Sequence, residues 1–186
     1  MNKSLVRQQL LQHRDALTTA AAQKQSEDLC RRLLASEEYQ QAHIIFAYLS
    51  FGREASLDFV LQQALEGDKI IGVPAIYSKG LMHMVRLEQL AQVTWDRYGI
   101  RTPTQPWNIL EPESAELVLV PGVGFTAGGQ RLGMGQGFYD RYLPLCLKAK
   151  KIGVAYEQQL VIELPTESWD AKVDGLVTET RFIKCS

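Results

Sequence analysis

Cysteine is scarce in this chain, with three in 186 residues: Cys30, Cys146 and Cys185. An odd, scattered set argues against a disulfide framework and predicts a reducing, cytoplasmic setting. No Cys/His cluster has zinc-ligand spacing. Net charge is only −1, so the global basic footprint of a nucleic-acid binder is missing. No apolar run reaches the length of a membrane span. The first ten residues are polar and lack the apolar segment of a signal peptide. No serine sits in a nucleophile elbow, which removes the commonest covalent acyl chemistry. Repeats, low-complexity tracts and long exposed apolar stripes are also missing, so one monomeric domain over residues 1–186 is expected.

What the chain does carry is alternation. Residues 2–17 and 19–34 have helical periodicity, the second capped by Thr18 or Thr19. Residues 44–49 are a compact apolar run, read as a buried strand. Residues 57–65 are amphipathic and helical, stopped by Gly67. Residues 69–76 read as a strand broken at Pro74, and 81–87 as its partner across a Ser78-Lys79-Gly80 turn. Residues 95–112 contain Pro103, Pro106 and Pro112 and read as a long, non-repetitive loop. Residues 117–120, 151–155 and 174–178 are further strands, and 138–148 a helix. Cys30 and Cys146 fall in helical segments and read as core thiols. Strands alternating with helices predict an α/β fold with a mostly parallel sheet covered on both faces. Ligands in such sheets sit beyond the carboxyl ends of the strands. That places the loop after 117–120 and Glu54, after 44–49, in one crevice. Asp170 joins them only through an assumption about the fold.

The loop in question is R-L-G-M-G-Q-G-F-Y-D-R-Y, residues 131–142. Gly133, Gly135 and Gly137 alternate between a strand and a helix, where backbone N–H groups can approach an anion. Arg131 adds a fork of donors suited to phosphate. Asp140, in the first helical turn, suits a Mg²⁺ shared with phosphates, although taken alone it reads first as a partner for the helix dipole. There is no Gly-Lys-Ser/Thr, so this is not a Walker A loop. The spacing G-x-G-x-G, with no acidic residue at the usual distance, does not fit a dinucleotide turn either. Gly128 and Gly129 suggest a second turn or a mobile flap. In the first helix, Lys3, Arg7 and Arg14 lie within ~40° of one another. Such a stripe flanking the apolar face either points into a cleft or, as the pattern favours, is solvated. His13 reads as a boundary residue. Glu54 reads as a ligand-facing acid or a loop ion pair with Arg53. These parts point to phosphoryl transfer by positioning and electrostatics, without a covalent enzyme intermediate.

Residues 121–143, P-G-V-G-F-T-A-G-G-Q-R-L-G-M-G-Q-G-F-Y-D-R-Y-L, resemble the marker of the 5-formyltetrahydrofolate cyclo-ligase family: P-G-x-x-F, then R-L-G-x-G-x-G-Y-Y-D. K-S-L-V-R at 3–7, Glu54, Trp107 and W-D-A-K-V-D at 169–174 extend the likeness over nearly the whole chain. The resemblance implies a three-layer α/β/α sandwich. It implies that ATP and Mg²⁺ drive cyclisation of 5-formyltetrahydrofolate to 5,10-methenyltetrahydrofolate, with ADP and phosphate released. The formyl oxygen would attack the γ-phosphate, and N10 would then displace phosphate from the activated carbon. Lys3 and Arg7 would bind ATP phosphates. The nucleotide loop would comprise Arg131, Leu132, Gly133, Met134, Gly135, Gln136, Gly137, Phe138 and Tyr139, with Arg131 and Tyr139 catalytic. Met134 to Phe138 would also border the folate, together with Leu49, Glu54 and Trp107. Asp140 and Asp170 would hold Mg²⁺, Asp170 being preferred over Asp174. Met134 and Gln136 stand where the family often has a basic residue, and Phe138 replaces a frequent tyrosine. The burden of positive charge then shifts to Arg131, Lys3 and Arg7. A same-fold paralogue with another nucleotide-dependent salvage activity, or a non-catalytic nucleotide- or phosphosugar-binding module, would share the loop. Glu54 is the feature such a module does not need.

Overall fold

The computed structural model describes residues 2–78 and 80–185. Lys79, in the turn expected between the paired strands, lies outside the described residues. Helix α1 (Lys3–Asp15) begins at Asn2, whose side chain accepts from the Ser4 amide at 2.8 Å. It is followed by α2 (Thr19–Leu34), capped by Thr18, and a short unforeseen α3 (Glu37–Gln41). Then come β1 (Ile44–Phe46), α4 (Asp58–Glu66), β2 (Ile70–Ser78) and β3 (Leu81–Leu87). Three brief strands occupy the expected loop: β4 (Val93–Trp95), β5 (Arg101–Pro103) and β6 (Ile109–Leu110). The second half holds β7 (Leu117–Pro121), β8 (Gly124–Phe125), β9 (Arg131–Leu132), α5 (Phe138–Tyr142), β10 (Lys150–Val154), β11 (Gly175–Val177) and β12 (Phe182–Lys184).

Eight strands form one sheet in the order β12-β11-β10-β7-β1-β2-β3-β6. The five from β11 to β2 are mutually parallel, and β12, β3 and β6 are antiparallel additions at the edges. The chain runs outward from β1 through β2, β3 and β6, then returns to the other flank of β1 as β7. β1 and β7 are therefore neighbours whose connections leave in opposite directions. A crevice opens beyond their carboxyl ends, the place where doubly wound sheets bind ligands.

Side-chain alternation along the strands builds the layers. Ile45, Leu117, Leu119 and Ile152 face α2 and α4, meeting Leu29, Leu33 and Leu61. Phe46, Val118, Val120 and Leu176 face the other way, onto Tyr142, Leu143 and Cys146. This is the α/β/α sandwich. Helix α1 stands apart: Leu10 packs on Val123, Leu132 and Leu164, against the hairpin that leads into the glycine loop. No helix among the described residues is long and apolar enough to cross a membrane.

Four expectations change. The helix over 138–148 stops at Tyr142 and becomes a 3-10 turn at Leu143–Leu145. Pro144 has no N–H to continue the i→i−4 ladder. The strand at 69–76 is not broken at Pro74 but runs on to Ser78. The Ala47 amide donates to the Gly72 carbonyl at 2.9 Å, and the last β1–β2 pair is Phe46 with Gly72. Pro74, on the same side of the strand two residues later, directs its missing donor past the end of β1. The stretch 95–112 is not a plain loop. β4 pairs with β5 around Gly99, at φ 73°, and β6 pairs with β3. Strands of two or three residues are too short to show a period-2 signal. Strand β1 is also shorter than the apolar run that predicts it, ending at Phe46. Gly128 and Gly129 form a turn between β8 and β9, held where the Val173 amide donates to the Gly129 carbonyl at 3.0 Å.

Candidate active site

A cavity of about 810 Å³ occupies the crevice beyond β1 and β7. Lys3, Arg7, Leu49, Glu54, all of residues 131–140 and Asp170 line it. Trp107 does not. Its indole N–H donates to the Pro103 carbonyl at 3.1 Å, pinning the segment between β5 and β6. It therefore stands outside the lining of this cavity, away from the place beside the folate that the resemblance implies.

The alternating glycines have a local reason. Gly135 and Gly137 adopt φ values of 94° and 68°, where side-chain-bearing residues are strained. A Cβ on Gly133 would lie 2.9 Å from the Arg131 guanidinium, and one on Gly135 would lie 3.4 Å from that of Arg7. The loop thus lets two arginines run against its backbone. Arg7 Nε donates to the Gly133 carbonyl at 2.7 Å. Arg131, with its side chain 4% exposed, ion-pairs with Asp140 and donates to the Pro121 carbonyl at 3.3 Å. Its guanidinium carbon is 5.8 Å from the centre of the Tyr139 ring. Its Nε is buried without a partner.

Each carboxylate expected to bind metal is already engaged. Asp140 accepts from Arg131 and from the Ala171 amide, the latter at 3.2 Å. Asp170 lies 2.6 Å from Lys3 Nζ and accepts from the Glu167 amide at 2.7 Å. Lys3 also pairs with Glu167 at 2.6 Å. Burial opposes the Lys3 charge, but hydrogen bonds to Asp170 and Glu167 outweigh it and raise its pKa. No group of three metal-ligating side chains occurs among the described residues. Asp174 is elsewhere, accepting from the Lys151 amide at the start of β10 at 2.8 Å.

Glu54 lines the same cavity. Its Oε2 accepts from the Phe51 amide at 2.9 Å, and its Oε1 lies 3.8 Å from Arg14 Nη1. Burial raises its pKa, while the Phe51 amide and Arg14 hold it down. Arg53 is not its partner, since Arg53 Nη1 donates to Thr19 at 3.0 Å. Arg14 is not a solvated flank; it is buried. The Tyr48 hydroxyl donates to the Ala55 carbonyl at 2.6 Å and fixes the loop that carries Glu54. The Tyr139 hydroxyl is buried without a partner. Burial first, then the nearby Glu54 charge, push its pKa far up, so it remains a protonated donor.

The family model for 5-formyltetrahydrofolate cyclo-ligases matches residues 1–179. The chain belongs to this cyclo-ligase family. The probable 5-formyltetrahydrofolate cyclo-ligase of Caenorhabditis elegans is 30% identical, over 97% of this chain and 94% of that protein. The Escherichia coli K12 5-formyltetrahydrofolate cyclo-ligase is 29% identical over 91% and 96%. The solved structure of Aquifex aeolicus 5,10-methenyltetrahydrofolate synthetase superposes with a TM-score of 0.88 at 30% identity, covering 99% of this chain and 93% of that one. That of the Mycoplasma pneumoniae synthetase gives 0.79 at 26%, covering 96% and 99%.

Within this cyclo-ligase fold, sequence reasoning missed several cavity residues. Arg101, on β5, pairs with Asp58 at 2.7 Å and lines the cavity together with Tyr48, Ile76, Met82, Arg141 and Trp169. Arg141 ties the glycine loop to the β2–β3 hairpin, donating to the Gln136 carbonyl at 2.9 Å and the Gly80 carbonyl at 3.2 Å. Arg101 was hidden because its stretch has no period. Trp169 had a signal, lying one residue before Asp170.

Proposed function

We propose that this chain closes 5-formyltetrahydrofolate to 5,10-methenyltetrahydrofolate at the cost of ATP, in the cytoplasm and as a monomer. One observation carries the reading: a glycine loop with Arg131, Arg7 and Lys3 shares a single cavity with the half-buried acid Glu54. A phosphate binder needs the first and has no use for the second. The cyclo-ligase names of the relatives favour the enzyme over a salvage paralogue or a non-catalytic module.

The chemistry suits the residues. A formyl oxygen is a poor leaving group. Its attack on the γ-phosphorus of ATP expels ADP and leaves the carbon bonded to phosphate. N10 then bonds to that carbon and loses its proton, and phosphate departs with the C–O electrons. Lys3, Arg7 and the loop from Arg131 to Tyr139, with Leu132 behind it, hold the triphosphate. Arg131 faces the charge that grows on the transferred group, where fixed donors matter most. The Tyr139 hydroxyl is a second donor with no competing partner. Glu54 accepts from the amine and amide donors of the pterin, and Leu49 with Met134, Gly135, Gln136, Gly137 and Phe138 borders the ring. Asp140 and Asp170 are hard oxygen donors of the kind that hold Mg²⁺ together with phosphate oxygens. Bound there, Mg²⁺ would supply charge neutralisation at the phosphates. Lys3 and Arg131 already pair with these carboxylates, so binding of Mg²⁺ there would require those ion pairs to be exchanged.

The test is spectroscopic. The methenyl product absorbs in the near ultraviolet where the 5-formyl substrate does not. Purified chain with 5-formyltetrahydrofolate, ATP and Mg²⁺ is expected to give a rise in that absorbance. No ATP-dependent rise overturns the proposal.

A further inference from the structure

We propose that Arg14 is a positioning residue for folate recognition, holding Glu54 as an ionised, acceptor-only group without consuming its acceptor capacity. The inference rests on the reading of Glu54 as the folate contact.

Arg14 is unusual for a cation on an outer helix. The residue is 4% exposed, and its Nε and Nη1 have no hydrogen-bond partner. A buried charge is unfavourable unless it is paired closely. Its two anionic neighbours both stand off: Asp15 Oδ1 at 3.5 Å from Nε and Glu54 Oε1 at 3.8 Å from Nη1. Asp15 is 57% exposed, so solvent screens it. Glu54, with its side chain 16% exposed, is the better shielded neighbour, and that is where the Arg14 field acts.

Glu54 needs such a field. The groups that face it are Arg14 from α1, the Phe51 amide from its own loop, Tyr48 just after β1 and Tyr139 from α5. The tyrosines are kept neutral by burial, and the Tyr48 hydroxyl is committed to Ala55. Arg14 is thus the cation that opposes the burial of the Glu54 carboxylate. If Glu54 were protonated it would offer a hydroxyl where the folate offers N–H donors, and two donors would face each other. At 3.8 Å the arginine supplies charge but takes up no lone pair of Glu54 Oε1. That oxygen is left to the ligand. Arg14 does not itself line the cavity, so it acts through Glu54.

The experiment is steady-state kinetics and folate binding of the full chain across pH, using Arg14→Gln, Arg14→Lys, Glu54→Gln and the double variant with Arg14→Gln. Arg14→Gln is expected to raise the KM for 5-formyltetrahydrofolate roughly tenfold near neutral pH, as a charge-assisted hydrogen bond is lost. KM for ATP and kcat are expected to change less than about twofold. The defect should shrink as pH rises, because alkali ionises Glu54 without help, and Arg14→Lys should recover most of the affinity. Added to Glu54→Gln, Arg14→Gln should cost nothing more. A pH-independent loss, an equal loss toward ATP, or additive losses in the double variant overturn the proposal. A wild-type folate KM in Glu54→Gln instead overturns the reading of Glu54 beneath it. Should Arg14→Gln fail to fold, the Glu54 carboxyl carbon in the isotopically labelled wild-type chain decides. An ionised group near neutral pH is expected, and a protonated one there defeats the inference.

Discussion

At the glycine-loop end of the cavity, cations and carboxylates meet at hydrogen-bond distance: Lys3 to Asp170 at 2.6 Å and Arg131 to Asp140 at 2.5 Å. At the Glu54 end the ion pair is Arg14 with Glu54, and it stands at 3.8 Å with buried guanidinium donors unmet. The two ends therefore suit different ligands. A tight pair gives a charged ligand something to exchange: phosphate takes the cation, and a metal takes the carboxylate. A loose pair leaves one carboxylate oxygen, Glu54 Oε1, outside hydrogen-bond distance of its cation, which suits neutral N–H donors. The same residue types do both jobs, and spacing separates them.

The largest break is expected at Arg131. Arg131→Lys keeps the charge but loses the planar fork that reaches Asp140 and the Pro121 carbonyl. Loss of one fixed donor at a developing charge lowers kcat by about 10²–10³. The rate of methenyl product formation checks it, and a near-normal rate would remove Arg131 from the catalytic end. Next comes Glu54→Gln, which replaces a charged acceptor with a neutral one. KM for the folate should rise about tenfold or more, consistent with the ~1.5–3 kcal/mol of a hydrogen bond to a charged group. KM for ATP should not move; if both rise together, the two ends are not separate. A smaller effect is expected from Asp170→Asn. It frees Lys3 from its more buried partner, leaving Glu167, while removing one hard oxygen donor. A partly exposed ion pair contributes at most ~1 kcal/mol. Calorimetry in the presence of chelator should therefore show ATP binding up to about fivefold tighter, while half-saturation by Mg²⁺ moves to higher concentration. Unchanged binding in chelator would mean that the Lys3–Asp170 pair is not exchanged.

The loop end was more legible in the sequence than the Glu54 end, for a physical reason. Gly133, Gly135 and Gly137 meet a local demand, positive φ or close approach of an arginine, and local demands leave local signatures. Asp140 likewise sits in the first turn of α5, right after the loop. The role of Arg14 has no such signature. Periodicity gives its angle around α1, but the partner of that face is set by how α1 lies on the β8–β9 hairpin. A solvated flank and a buried cation look alike at that level. The centre of the sheet was legible because β7 and β1 are continuous apolar runs. The short β4–β5 ribbon was not, and Arg101 was lost with it.

Trp107 gives the smallest expected effect and the sharpest control. The family resemblance implies a place on the folate, but its indole N–H donates to the Pro103 carbonyl. Trp107→Phe keeps the aromatic surface and deletes that N–H donor. The loss should be one hydrogen bond in a half-buried site, about 1 kcal/mol of stability. For a domain of this size that lowers the melting temperature by ~2–4 °C. Both KM values should stay within about twofold of wild type, because Trp107 belongs to neither end of the cavity. A selective rise in the folate KM with an unchanged melting temperature would mean that the segment between β5 and β6 swings its indole into the cavity when the folate binds. The comparison of two ends would then need a third contributor, a mobile aromatic wall beside Glu54.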